Sequence, residues 1–151
     1  MRIAIVVEAS EGVANKTWLV QNLSAELAEY FSDKDYGEDV EEIIIGIISV
    51  APEFEFFSKI RKPRYKAYRE YVNRDGLKII EDRLFSFSLK IDYESLKNQT
   101  DEENRKMLAS EILGSLSNLD ALPKKVKDFD KERFKEDMIA FFEEQKLLVK
   151  K

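Results

Sequence analysis

Two short runs of β-branched residues, IAIVV at 3–7 and IIIGIISV at 43–50, are apolar on both faces of a strand and too short to be helices buried all round. They commit the chain to a sheet. The first strand, RIAIVVEA at 2–9, is expected at the centre of that sheet because neither face is polar. The second spans Val40–Val50 and stops at Pro52, which has no backbone donor. Between them, Leu19, Leu23, Leu27, Tyr30 and Phe31 form the single apolar stripe of a helix over residues 16–31. The polar SDKDYGED run at 32–39, with Gly37, ends it.

Residues 53–72 satisfy two periods: Tyr65, Tyr68 and Val72 share a helical stripe, whereas Tyr65, Ala67, Arg69 and Tyr71 share one face of a strand. Pro63 favours the extended reading, leading into an Asp75-Gly76 turn. Arg83, Phe85, Phe87, Leu89 and Ile91 then alternate with more polar residues, the period of a half-buried strand. Thr100 followed by Glu103 has the form of a capping box, with Leu108, Ile112, Leu116 and Leu119 at helical spacing up to Pro123. Asp130 can cap a further helix whose stripe is Phe134, Met138, Phe141 and Gln145, broadened by Phe142 and Leu148. This order predicts one α+β domain over residues 1–151: a largely antiparallel sheet with about three helices packed mainly on one face.

Composition removes most catalytic chemistry. The chain has no cysteine and no histidine, so thiol nucleophiles, thiolate zinc sites and imidazole bases are excluded. Among 30 acidic residues no pair stands out for carboxylate catalysis or a hard metal, and no catalytic residue, cofactor or metal is expected. Trp18, Phe85 and Phe141 read as core. The Ser10–Thr17 loop ends in Lys-Thr like a phosphate loop, but Asn15 and Ser10 stand where glycines are needed and Gly12 is out of register. No apolar stretch approaches the roughly 20 residues of a spanning helix. The short apolar N-terminus soon meets Glu8 and Glu11, unlike a signal peptide, so a cytoplasmic protein is expected.

Charge is segregated along the chain. Residues 1–58 hold 3 basic and 12 acidic residues, and residues 59–90 hold 10 and 4, within a net charge of -5. Glu38, Asp39, Glu41 and Glu42 precede the second strand, and Glu53 and Glu55 follow it, a distribution that would steer a basic protein partner. The basic block contains Lys59, Arg61, Lys62, Arg64, Lys66 and Arg69, interleaved with Tyr65 and Tyr68, a pattern that could follow a phosphate backbone and stack bases. Net acidity argues against that alternative, and pairing of the block with acidic runs across adjacent strands is the plainer account.

The whole layout, with SEGVANKTW leading into the first helix, the PEFEFFSKIRKPRYKAYREYV segment and DFDKERF before the last helix, resembles the immunity protein 44 family of bacterial polymorphic toxin systems. That resemblance implies a cytoplasmic, non-enzymatic protein that binds a cognate toxin and neutralises it. On this reading the acidic group around the second strand is the first candidate for the toxin-binding surface, by occlusion of an active site or substrate groove. The basic, tyrosine-rich segment is the second.

Overall fold

The apolar runs become neighbouring strands, β1 (Arg2–Ser10) and β2 (Glu42–Ser49), which pair in parallel because helix α1 (Thr17–Phe31) carries the chain back between them. The computed structural model describes residues 1–10, 17–50 and 62–147. Strand β3 (Arg64–Val72) forms an antiparallel hairpin with β4 (Lys78–Lys90), and β4 also lies parallel to β2. Helices α2 (Tyr93–Asn98), α3 (Asp101–Ser115) and α4 (Lys131–Glu144) follow, with a 3-10 turn at Leu116–Ala121.

The α+β class is thus observed, but the sheet is mixed. Its order is β1-β2-β4-β3, and only β3/β4 is antiparallel. The cause is the placement of β4, which enters beside β2 and displaces its own hairpin partner to the edge. β1 occupies the other edge rather than the centre. Its second face tolerates this because Val6 is left 41% exposed, and Ser24 of α1 covers part of the free edge by accepting the Ile5 N–H at 2.9 Å.

One row of inward residues after another crosses the sheet: Ile3, Ile43, Phe85 and Tyr65, then Ile5, Ile45 and Phe87, then Ile47 and Leu89. These strand residues form one core with Leu23, Leu27 and Phe31 of α1, Leu108 and Ile112 of α3, and Phe134, Met138, Phe141 and Phe142 of α4. Among the described residues the helices therefore cover one face of the sheet. The Phe31 ring packs against Phe134 and Tyr36, at centroid distances of 5.3 and 6.2 Å.

Local signals act as their chemistry dictates. Thr100 and Glu103 form the reciprocal capping box, and the Asp130 carboxylate accepts the Arg133 N–H at 3.1 Å. Asn73 closes the hairpin turn by accepting the N–H groups of Asp75 and Leu77, and Gly76 supplies the left-handed residue at φ 77°. The last stripe ends earlier than its period predicts, because Gln145 is exposed beyond the end of α4. Lys146 turns left-handed there (φ 56°), so that the Leu147 N–H reaches the Phe142 carbonyl at 3.0 Å and the Leu147 side chain is buried. Trp18 is also not core: it is 44% exposed, whereas Phe85 and Phe141 are buried.

Candidate partner-binding surface

The acidic group before β2 is assembled by hydrogen bonds from distant parts of the chain. Tyr36 anchors it from below: its ring lies in the core and its hydroxyl donates to Asp137 at 2.5 Å, burial and then that bond raising the hydroxyl pKa. Gly37, at φ 123°, lets the backbone pass against Asp128. Asp39 is then locked in place. Its carboxylate accepts the N–H groups of Lys127 and Asp128, each at 2.8 Å, its own N–H donates to the Asp128 carbonyl, and its carbonyl accepts the Tyr65 hydroxyl. The Asp128 and Lys127 amides hold the Asp39 carboxyl below the usual carboxylate range.

Arg83 organises the other acids. Its backbone is left-handed at φ 53°, its carbonyl accepts the Glu41 N–H, and its guanidinium donates to the Glu38 carbonyl while pairing with the Glu41 carboxylate. Glu42 pairs with Arg2 at 3.3 Å. Of these four acids, only Glu38 carries a carboxylate with no partner among the described residues. Glu38 and Glu41 line an open cleft of about 680 Å³ with Arg2, Lys34, Asp35 and Arg83. Glu53 and Glu55 lie outside the described residues.

The basic, tyrosine-rich segment is divided by its own alternation. Tyr65 falls on the helix-covered face opposite Phe85, half-buried, with the Lys125 ammonium 5.7 Å from its ring centre. Arg64 and Lys66 fall on the opposite face, in register with Ser86 and Leu84. Tyr65 is therefore separated from the neighbouring cations it would need for joint stacking and phosphate contact. Tyr68 and Arg69 are placed by backbone register opposite Asp82 and Glu81. Lys59 and Arg61 lie outside the described residues, as do residues 11–16 of the loop that resembles a phosphate loop.

Sequence reasoning did not single out the second face of the sheet. Its register rows are Arg2, Glu42, Leu84 and Lys66, then Ala4, Ile44, Ser86 and Arg64, then Val6, Gly46 and Ser88. Glu8 extends over Gly46, whose missing Cβ leaves the space, and accepts the Ser88 hydroxyl at 2.8 Å. A shallow groove of about 260 Å³ runs here, with Val6, Ile44 and Leu84 as apolar floor and Lys62 and Arg64 at the rim. The signal lies in the parity of Ala4, Val6 and Glu8 against Ile3 and Ile5, which the apolar character of both faces as far as Val7 conceals. Among the described residues, no group of three acidic side chains is gathered as a metal would require, and no helix is long and apolar enough to cross a membrane.

Residues 1–144 match the family described as Immunity protein 44. No curated protein and no solved structure matches the chain.

Proposed function

The chain belongs to the immunity protein 44 family, and from that premise we propose that it binds one cognate toxin of a bacterial polymorphic toxin system and neutralises it by covering the toxin's active site or substrate groove. The observation that carries this reading is the family match, which extends across residues 1–144 and so takes in every strand and helix described above. Occlusion needs only a complementary surface that covers the toxin's site. The chain does no chemistry of its own: histidine and cysteine are absent from the sequence, the Asp39 carboxylate is engaged by backbone amides, and those of Glu41 and Glu42 are engaged by arginines. It acts in the cytoplasm.

Within this reading the acidic end of β2 forms one rim of the contact. Glu38 is its exposed charge, with Glu41 and Glu42 behind it in ion pairs and Asp39 as the structural anchor. Where this rim meets a basic group of the toxin, reversing Glu38 to lysine is expected to slow association about tenfold at low salt. The alternative, nucleic-acid binding by the segment at 59–71, gains no support from Tyr65, whose ring is turned to the core side.

An immunity gene is expected to lie beside its toxin gene, so the test is co-expression with the toxin domain encoded there, followed by purification of both. Growth is rescued, the two proteins elute together, and the toxin's substrate competes with this chain for the toxin. Unabated killing with no complex refutes the immunity reading, and a complex in which the toxin still holds its substrate refutes occlusion.

A further inference from the structure

We infer that the helix-free face of the sheet is the docking surface for the toxin, and that it receives an acidic patch flanking an apolar contact; this rests on the immunity reading above. Among the described residues, α1, α3 and α4 share one core with the inward rows, and nothing packs on the other side of β1, β2 and β4. The floor there is apolar and partly open to solvent: Val6 is 41% exposed and Ile44 and Leu84 are half-buried. Exposed aliphatic side chains gathered in a groove on a sheet are what a protein partner covers.

Charge identifies that partner's chemistry. Among the described side chains, the carboxylates beside this groove are engaged, Glu42 by Arg2 and Glu8 by the Ser88 hydroxyl. The two rim cations Lys62 and Arg64 are exposed, and neither has an ion pair among the described residues. Among the described side chains, the unspent charge beside this groove is therefore positive, although the whole chain carries -5. A surface of carboxylates around an aliphatic or aromatic side chain complements it. A nucleic acid is the lesser fit, because the groove floor is aliphatic and the aromatic residue along it, Phe87, has its ring buried in the core rather than offered for stacking.

The experiment compares the purified toxin domain encoded beside this gene, as the binding probe, against the full chain and three variants. Val6→Asp places a carboxylate in the floor, Lys62→Glu with Arg64→Glu reverses the rim, and Glu111→Lys changes an exposed residue of α3 as a control. Circular dichroism and the unfolding midpoint verify that each variant is folded; the rim variant, built wholly on exposed residues, keeps the test in force if Val6→Asp does not fold. Each open-face variant is expected to weaken binding by at least about tenfold, Val6→Asp mostly through faster dissociation and the rim variant mostly through slower association, with the control unchanged. Equal binding by the folded open-face variants overturns this inference and leaves the immunity reading standing. No binding by the unaltered chain overturns both. Two further results overturn it in favour of another occupant: retention of a labelled single-stranded oligonucleotide that the rim variant loses, or a dimer of this chain that Val6→Asp dissociates while toxin binding persists.

Discussion

Replacing Gly37 by alanine tests whether the acidic loop is held in place by backbone or by charge. Two independent costs meet at this residue. At φ 123° an L side chain is strained by roughly 1–3 kcal/mol. A Cβ there would also stand closer than 3.0 Å to the carbonyl oxygen and carbon of Asp128. That carbonyl cannot simply swing aside, since it accepts the Asp39 N–H at 3.0 Å while the Asp128 carboxylate accepts the Glu38 N–H at 3.0 Å. Relieving the clash sacrifices both bonds, each contributing about 1 kcal/mol net. The expected loss is therefore about 3–5 kcal/mol, a large part of the 5–15 kcal/mol typical of a domain. Urea unfolding followed by tryptophan fluorescence and circular dichroism measures it. Gly114→Ala is the matched control, because nothing lies within 4 Å of its would-be Cβ inside α3, and it should stabilise by up to about 1 kcal/mol. A Gly37→Ala loss below about 1 kcal/mol would refute the claim that this loop is clamped through Asp128.

Three other outcomes follow from the same contacts. Because the Asp39 carboxyl is held low by the Asp128 and Lys127 amides, its contribution is present above the ordinary carboxylate pKa and is lost as pH falls through the depressed one; Asp39→Asn should flatten the acid limb of an unfolding midpoint measured from pH 6 to pH 2.5, and an unchanged limb would count against it. Thr100→Ala removes the acceptor for the Glu103 N–H and should cost about 1 kcal/mol in urea unfolding, with native circular dichroism retained. Gly46→Ala brings a methyl group against the Glu8 carboxylate, a flexible tip, so the fold persists; its cost should shrink in a Glu8→Ala background, and strict additivity in that double-mutant cycle would show that the two do not meet.

Element types were legible in this sequence because each carries a local signature: β-branched runs for β1 and β2, alternation for β4, and a Thr-Glu box and an Asp cap for α3 and α4. Strand order was not, because it depends on which edges find cover. Nothing local to residues 83–91 states that they will lie beside β2 rather than leave β2 beside β3. The short helix α2 escaped notice because one turn and a half carries no period, although Asp92 caps it by accepting the Glu94 N–H. The acidic cluster was visible as charge but not as function within the fold: Asp39 spends its carboxylate on backbone amides, and Glu41 and Glu42 spend theirs on Arg83 and Arg2. Those partners are far away in sequence, so a run of acids read along the chain overstates the charge a partner would meet. The interleaving of tyrosine with cations was likewise visible, but a strand's two-residue period sends neighbours to opposite faces, as Tyr65 and Arg64 show.

Because β4 enters between β2 and β3, the sheet is a β3-β4 hairpin, which closes locally, added to the β1-α1-β2 unit along the β2-β4 seam. The seam fixes Ile43, Ile45 and Ile47 against Phe85, Phe87 and Leu89 across about 40 intervening residues, a separation as long as that of the β1-β2 pairing, so these two closures carry the larger chain-entropy costs. Together they act as the clock of folding, and Ile45 lies in both. Shortening Ile45 to valine should slow refolding in a stopped-flow experiment, whereas trimming Met138 of the late helix α4 should chiefly hasten unfolding, and a reversal of those two effects would move the rate-limiting event elsewhere. A nascent chain has β1, α1 and β2 available well before β4 leaves the ribosome, so the last strand to arrive at the centre of the sheet is the one that makes it whole.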